Sequence, residues 1–241
     1  MSKLLDVSIS GSLENLVFYR RMGKDCVRTK RKSIQQTDAT MKRGLNFGIA
    51  AKAGRGLRAG LQEVMPLPKD RSAQSWISGA IAKWLAQSDI GSLEPTDDVP
   101  FISDLAFVED KGFYTRFKAP LHISQFEDII QVNINAFTPS KEITAPAKTV
   151  SVKLILSVSG CQLPGGDHTS HETHSIIIPY NDTEIPAMEF NFHVAMPPRS
   201  LIVTAGRLIY YQSSGQIISE IDMPAFMAAG VINARYGGGE E

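Results

Sequence analysis

The chain has 241 residues, 43% hydrophobic and 21% charged, with 25 Lys/Arg against 25 Asp/Glu; this is globular composition and excludes a disordered or fibrous chain. The neutral sum hides a split, because residues 1–66 carry 13 Lys/Arg and 5 Asp/Glu whereas residues 67–241 carry 12 and 20. Cys26 and Cys161 lie too far apart for a disulfide framework, and no stretch nears the ~20 apolar residues of a membrane span.

The N-terminus has only the pair Leu4 and Leu5 before polar residues and glycine intervene, which is not the apolar run of a signal peptide. A cytoplasmic protein with two reduced thiols is the expectation. The first predicted element is a hairpin: Leu16, Val17, Phe18 and Tyr19 in one arm, Cys26, Val27 and Arg28 in the other, and a turn at 22–25 where Gly23 supplies the permissive backbone. Basic residues crowd both arms and the exit, at Arg20, Arg21, Lys24, Arg28, Lys30, Arg31 and Lys32. Such a ribbon has little apolar content and must dock on its own chain or on a neighbour.

From Met41 the apolar residues Leu45, Ile49, Ala53, Leu57, Leu61 and Val64 recur every three or four positions, which predicts a helix. Arg43, Lys52, Arg55 and Arg58 lie largely on its other side, a pattern shared by solvated helix faces and nucleic-acid footprints. Gly44 with Gly48, and Gly56 with Gly60, share faces on which another backbone can come close; the alternative is a break near Gly54 into two shorter helices. Residues 65–68 end the segment with two prolines. A second helix follows, with Ser72 as N-cap and Trp76, Ile77, Ala80, Ile81, Trp84 and Leu85 as one stripe, a core face in preference to a partner surface.

Residues 88–99 turn acidic and loop-like, which places a boundary between a 1–95 region and a 100–241 domain. Beyond it short runs alternate apolar with polar, as in antiparallel sheets with one wet face. The alternation is clear at Val132 and Ile134, from Val150 to Val158, and from Met188 to Val194; further strands are predicted at 103–108, 112–118, 174–180, 200–211 and 216–222. The fold class is therefore α+β, mainly β: a hairpin and two helices followed by an antiparallel β-sandwich of about eight strands.

Chemically versatile side chains concentrate at Cys161, His168, His171 and His174. Imidazole and thiolate bind zinc, yet the spacing matches no finger or HExxH helix, and three residues along a strand point His171 and His174 to opposite faces. An exposed polar hairpin loop is the preferred reading, zinc the alternative. No GxSxG elbow, Walker loop or dinucleotide fingerprint occurs in a strand-to-helix context. Cys26 beside Lys24 and Arg28 has the surroundings of a thiol with lowered pKa but no identifiable base, so it reads as a strand residue.

The hairpin string, through Gly11, Asn15, Val17, Phe18, Tyr19, Gly23, Val27 and Arg28, resembles the N-terminal segment of a group of uncharacterised proteins from Bacteroidota; Glu14 stands where that pattern has glycine. The resemblance implies a bacterial source and a strand-rich C-terminal part, and no activity. The leading expectation is a non-enzymatic structural or interaction protein that self-associates, basic arm against acidic β domain. Nucleic-acid binding through the basic hairpin, with Phe18 and Tyr19 for stacking, is the alternative. A metal-dependent enzyme at the histidine loop ranks last.

Overall fold

Glu14, Met22 and Gly23 hold positive φ, at 49°, 50° and 77°, and they mark the two tight turns of an N-terminal meander. A computed structural model describes residues 10–30, 36–65, 71–87, 93–103, 105–108, 111–214 and 217–237. The meander is β1 (Gly11–Leu13), β2 (Leu16–Arg21) and β3 (Lys24–Thr29), antiparallel in that order. Two successive positive φ values at Met22 and Gly23 give the twist a two-residue hairpin needs. The hairpin was legible; β1 adds a third strand, with Leu13 opposite Leu16 and Phe18 opposite Val27.

The chain divides into two units, Met1–Lys42 and Arg43–Glu241. The expected boundary at 95–100 is thereby moved into the early turns of the first helix. The reason is burial: the apolar stripes of both helices share one core with the strands, so the helices belong to the β unit.

α1 (Asp38–Gly60) is one continuous helix, and Thr37 caps it by accepting the Thr40 amide at 3.3 Å. The break near Gly54 does not occur. Gly54 instead faces the second helix so closely that a Cβ there would collide with Ser78. α2 (Arg71–Leu85) places Ser72 inside its first turn. It buries Ile77, Ile81, Trp84 and Leu85, with the Trp84 ring edge-on to Tyr236 at 5.2 Å. Asn46 Nδ2 donates to Leu85 O at 3.0 Å and satisfies a carbonyl at the end of α2. No helix among the described residues is long and apolar enough to cross a membrane.

The sandwich comprises β4 (Leu121–Phe126), β5 (Ile129–Ile134), the short helix α3 (Pro139–Glu142), β6 (Thr149–Gln162), β7 (Asp167–Pro179), β8 (Met188–His193), β9 (Ser200–Ser214), β10 (Ile217–Glu220) and β11 (Ala228–Gly237). One sheet runs β10-β9-β6-β7, with β11 also on β9; the other runs β4-β5-β8. Layers follow from the cores. Ile155, Cys161, Leu201, Val203 and Val231 pack with α1 and α2. Val152, Leu154, Leu156, Val158, Leu208 and Tyr210 pack with Ile130, Val132, Ile134 and Phe192 of the smaller sheet.

β6 and β9 are therefore covered on both faces, which corrects the expectation of one wet face. Two expected strands are also replaced. Among the described residues of 103–108 a single bridge forms, Ala106 to Gly230, and 112–118 contains a 3-10 turn at Phe113–Thr115. That turn buries Phe113 over Gly206, where a Cβ would stand 2.7 Å from the ring. In their place the sandwich gains β4 and β11.

Candidate functional site

The N-terminal meander sorts the predicted binding residues by strand parity. Cross-strand partners point the same way, so the pairs Arg21–Lys24, Tyr19–Cys26 and Val17–Arg28 share one face, and Arg20–Asp25, Phe18–Val27 and Leu16–Thr29 share the other. The first face is basic. The Arg28 guanidinium carbon lies 5.8 Å from the centre of the Tyr19 ring, a cation–π approach. The second face is apolar between the Arg20–Asp25 pair at one end and Thr29 at the other. Phe18 and Tyr19 are thus split between faces and form no joint stacking platform. Arg20 turns inward on its own turn, donating from Nε to Gly23 O at 3.2 Å. Lys30 is exposed, its amide bonded to Asn15 O at 2.5 Å; Arg31 and Lys32 lie outside the described residues. Cys26 is partly exposed, with Sγ 3.6 Å from Lys24 O.

The meander has no interior. Its strands contain no buried residue, and Leu13 is 65% and Val27 56% exposed on the apolar face.

The second predicted site lies where β6 meets β7. Register sets His168 opposite Cys161, His171 opposite Ser159 and His174 opposite Leu156. Cys161 and Ser159 face α1, whereas Leu156 belongs to the core beneath the smaller sheet. His168 and His171 accordingly come together, with ring centres 5.1 Å apart. His174 points the other way and meets the Phe192 ring edge-on at 4.7 Å. The opposite-faces expectation for His171 and His174 holds, and it is what disperses the four candidate ligands. Among the described residues no group of three His, Cys, Asp or Glu side chains is placed to hold a metal ion. Burial pushes the Cys161 thiol up to about 12, far from a thiolate ligand or nucleophile at neutral pH. Burial, and then the neighbouring His171, hold His168 below its ordinary value.

Glu172 is a centre that sequence reasoning missed. Its carboxylate faces His174 Nε2 at 3.1 Å through one oxygen and accepts the His193 amide at 2.5 Å through the other, tying β7 to the edge of β8. The His193 ring nitrogen stands 3.7 Å away. Alternation alone marks His193 as polar-side; nothing in the sequence links it to Glu172, 21 residues earlier. The three groups form a polar clasp between sheets.

No family model matches the chain, and no curated protein matches it either.

Proposed function

We propose that the chain is a non-catalytic structural protein that self-associates, with the N-terminal meander of one copy seated on the β unit of another. The observation that carries this reading is a three-stranded sheet without one buried residue, whose apolar side leaves Leu13 and Val27 more than half exposed. Sheets this small are marginal in water unless a hydrophobic face is covered. Charge favours a second copy as the cover. The unit Met1–Lys42 carries 9 Lys/Arg against 4 Asp/Glu, and Arg43–Glu241 carries 16 against 21, so the two attract across molecules.

Sedimentation velocity over a range of protein and salt concentrations tests the proposal. The wild type should associate, and more weakly near 1 M salt, where screening shortens from about 10 Å to about 3 Å. Val27→Asp should leave a monomer whose β unit melts normally. A wild type that stays monomeric at the highest concentration and lowest salt overturns the reading.

A second reading, nucleic-acid binding, is favoured by the basic face with Arg28 over Tyr19. It requires salt-sensitive retention of a single-stranded oligonucleotide in a filter assay, lost in Arg21→Gln/Arg28→Gln.

A further inference from the structure

β10 (Ile217–Glu220) forms one edge of the larger sheet. The Ile221 amide donates to Tyr210 O at 2.7 Å, which fixes the phase of the β9–β10 ladder: Ile217 and Ser219 bond to β9, and the backbone groups of Ile218 and Glu220 point away from it. No described residue takes up those groups. Other edges of the β unit have partners. Val99 N bonds to Ala234 O and Val231 N to Leu105 O along β11, and Arg235 Nη2 donates to Ile123 O on β4. Edge strands are ordinarily blunted by lysine, proline or a bulge. β10 has none of these, and Ile217 and Ile218 are 69% and 67% exposed.

The N-terminal meander has a matching open edge at β3. Lys30 N donates to Asn15 O at 2.5 Å, so Lys24, Cys26 and Arg28 bond to β2, and the backbone groups of Asp25, Val27 and Thr29 point outward. The charges of the two edges are opposite. Residues 208–227 hold Glu220 and Asp222 and no Lys or Arg, whereas Lys24, Arg28 and Lys30 outnumber Asp25 along β3 and its exit. β1, at the other side of the meander, carries no charged residue. Lys111 and Arg116 reach the far end of 208–227 but donate to Pro224 O at 2.7 Å and Ala225 O at 2.9 Å.

We propose that β10 is the seat of the meander: β3 of one copy adds to the open edge of β10 in another and extends the larger sheet. This rests on self-association itself and names the receiving surface. Direction follows from charge. Antiparallel pairing with Val27 opposite Ile218 sets Asp25 against Glu220, and with Val27 opposite Glu220 it sets Asp25 against Asp222; like charges directly opposite are destabilising. Parallel pairing with Val27 opposite Ser219 joins the same outward backbone groups and sets Arg28 beside Glu220 and Cys26 beside Ile218. Because β3 and β10 are different surfaces, the contact runs head to tail.

Sedimentation velocity of the full chain at about 0.05 M salt, where charges are little screened, is the test. Ile218→Pro removes one outward amide and no bond to β9, so association should weaken about tenfold with the urea midpoint unchanged. Glu220→Arg and Arg28→Glu should each weaken it about fivefold, and the chain carrying both should recover to within about twofold of wild type, because the pair is restored in reverse. Association lost in Val27→Asp but untouched by Ile218→Pro, with no recovery in the double variant, overturns β10 as the seat and leaves self-association standing. Loss in Ile218→Pro, with Val27→Asp and Arg28→Glu still associating, overturns it in favour of β10 pairing with β10 of a second copy. A wild type that is monomeric at every concentration sinks both readings.

Discussion

The N-terminal meander and the β6–β9 pair are both antiparallel ribbons of alternating sequence, yet one has no fully buried residue and the other is buried on both faces. Val152, Leu154, Leu156 and Val158 face the smaller sheet as their alternation implies. The difference lies in the residues between them. Ser157, on the polar side of the β6 alternation, and Ser159 beyond it have no exposed surface; their hydroxyls donate to Gly60 O at 3.0 Å and Leu57 O at 3.4 Å. Those carbonyls lie in the last turn of α1, where Leu57 O also accepts the Leu61 amide at 3.1 Å and Gly60 O is at the helix end. A serine in a strand is therefore compatible with full burial when a helix terminus supplies the acceptor. Thr29 and Arg28 on β3 are exposed.

The largest effect that distinguishes the two regions is expected from Phe113→Ala. Phe113 is 1% exposed and packs against Gly206, with the Phe117 ring at 5.0 Å. Its removal should cost about 3–5 kcal/mol of unfolding free energy. Val27→Ala in the meander should cost under about 0.5 kcal/mol, because little burial is lost. Urea unfolding followed by tryptophan fluorescence reads both, since both tryptophans lie on α2. Similar midpoints for the two variants would erase the contrast.

Gly60→Ala should come next, at about 1–3 kcal/mol. A Cβ there would stand 2.6 Å from His171 Cβ and 2.8 Å from Ser159 Cβ, so the end of α1 would have to lift from the sheet. Gly48→Ala is the matched control. It meets nothing within 4 Å and should stabilise the helix by about 1 kcal/mol. If both substitutions shift the urea midpoint alike, close approach is not why Gly60 is glycine.

These glycines show how far the sequence could be read. Spacing put Gly56 and Gly60 on a close-contact face and the structure agrees, but the same spacing at Gly44 and Gly48 leads to open space. The stripe behaves likewise: Ile49, Ala53 and Leu57 are buried, whereas Met41 and Leu45 are 50% and 62% exposed. Periodicity records which residues share a face, not where the covering surface stops. β11 escaped notice because Ala228, Ala229, Gly230 and Ala234 fill a strand buried on both sides, where small residues replace alternation. The histidine cluster was legible as a position but not as an assembly. Its fate depends on the register of β6 against β7, which includes a shift between Ser159 and Cys161.

The two cysteines carry the comparison into chemistry. Cys161 is fully buried and Cys26 partly exposed, so a thiol reagent should label one site per native chain and two in denaturant. The Cys161 thiol, raised from 9.0 to about 12 in the fold, ionises first in the unfolded chain. Its contribution to stability is then complete below pH 9 and is lost as pH rises toward 12. Tyr210 is raised by burial with the same sign, but its ordinary value of 10.0 puts its onset a unit higher. Stability measured from pH 8 to 10 should fall for the wild type and stay flatter for Cys161→Ala. Parallel curves would mean that the thiol is not the titrating group.

The smallest effect falls on the meander itself. Glu14 adopts φ 49° in the β1–β2 turn, a conformation in which a side chain crowds the backbone. Glu14→Gly relieves that crowding while giving the unfolded chain more freedom, two opposing terms that should leave about 0.5 kcal/mol of net stabilisation. The gain should appear locally. Amide exchange at Val17, which pairs with Ser12 across the turn, should slow about twofold, while exchange in β6 and β9 stays unchanged. An equal slowing in the β unit would mean that the two regions unfold together. Faster exchange at Val17 would mean that the glutamate side chain supports the turn by more than its backbone costs.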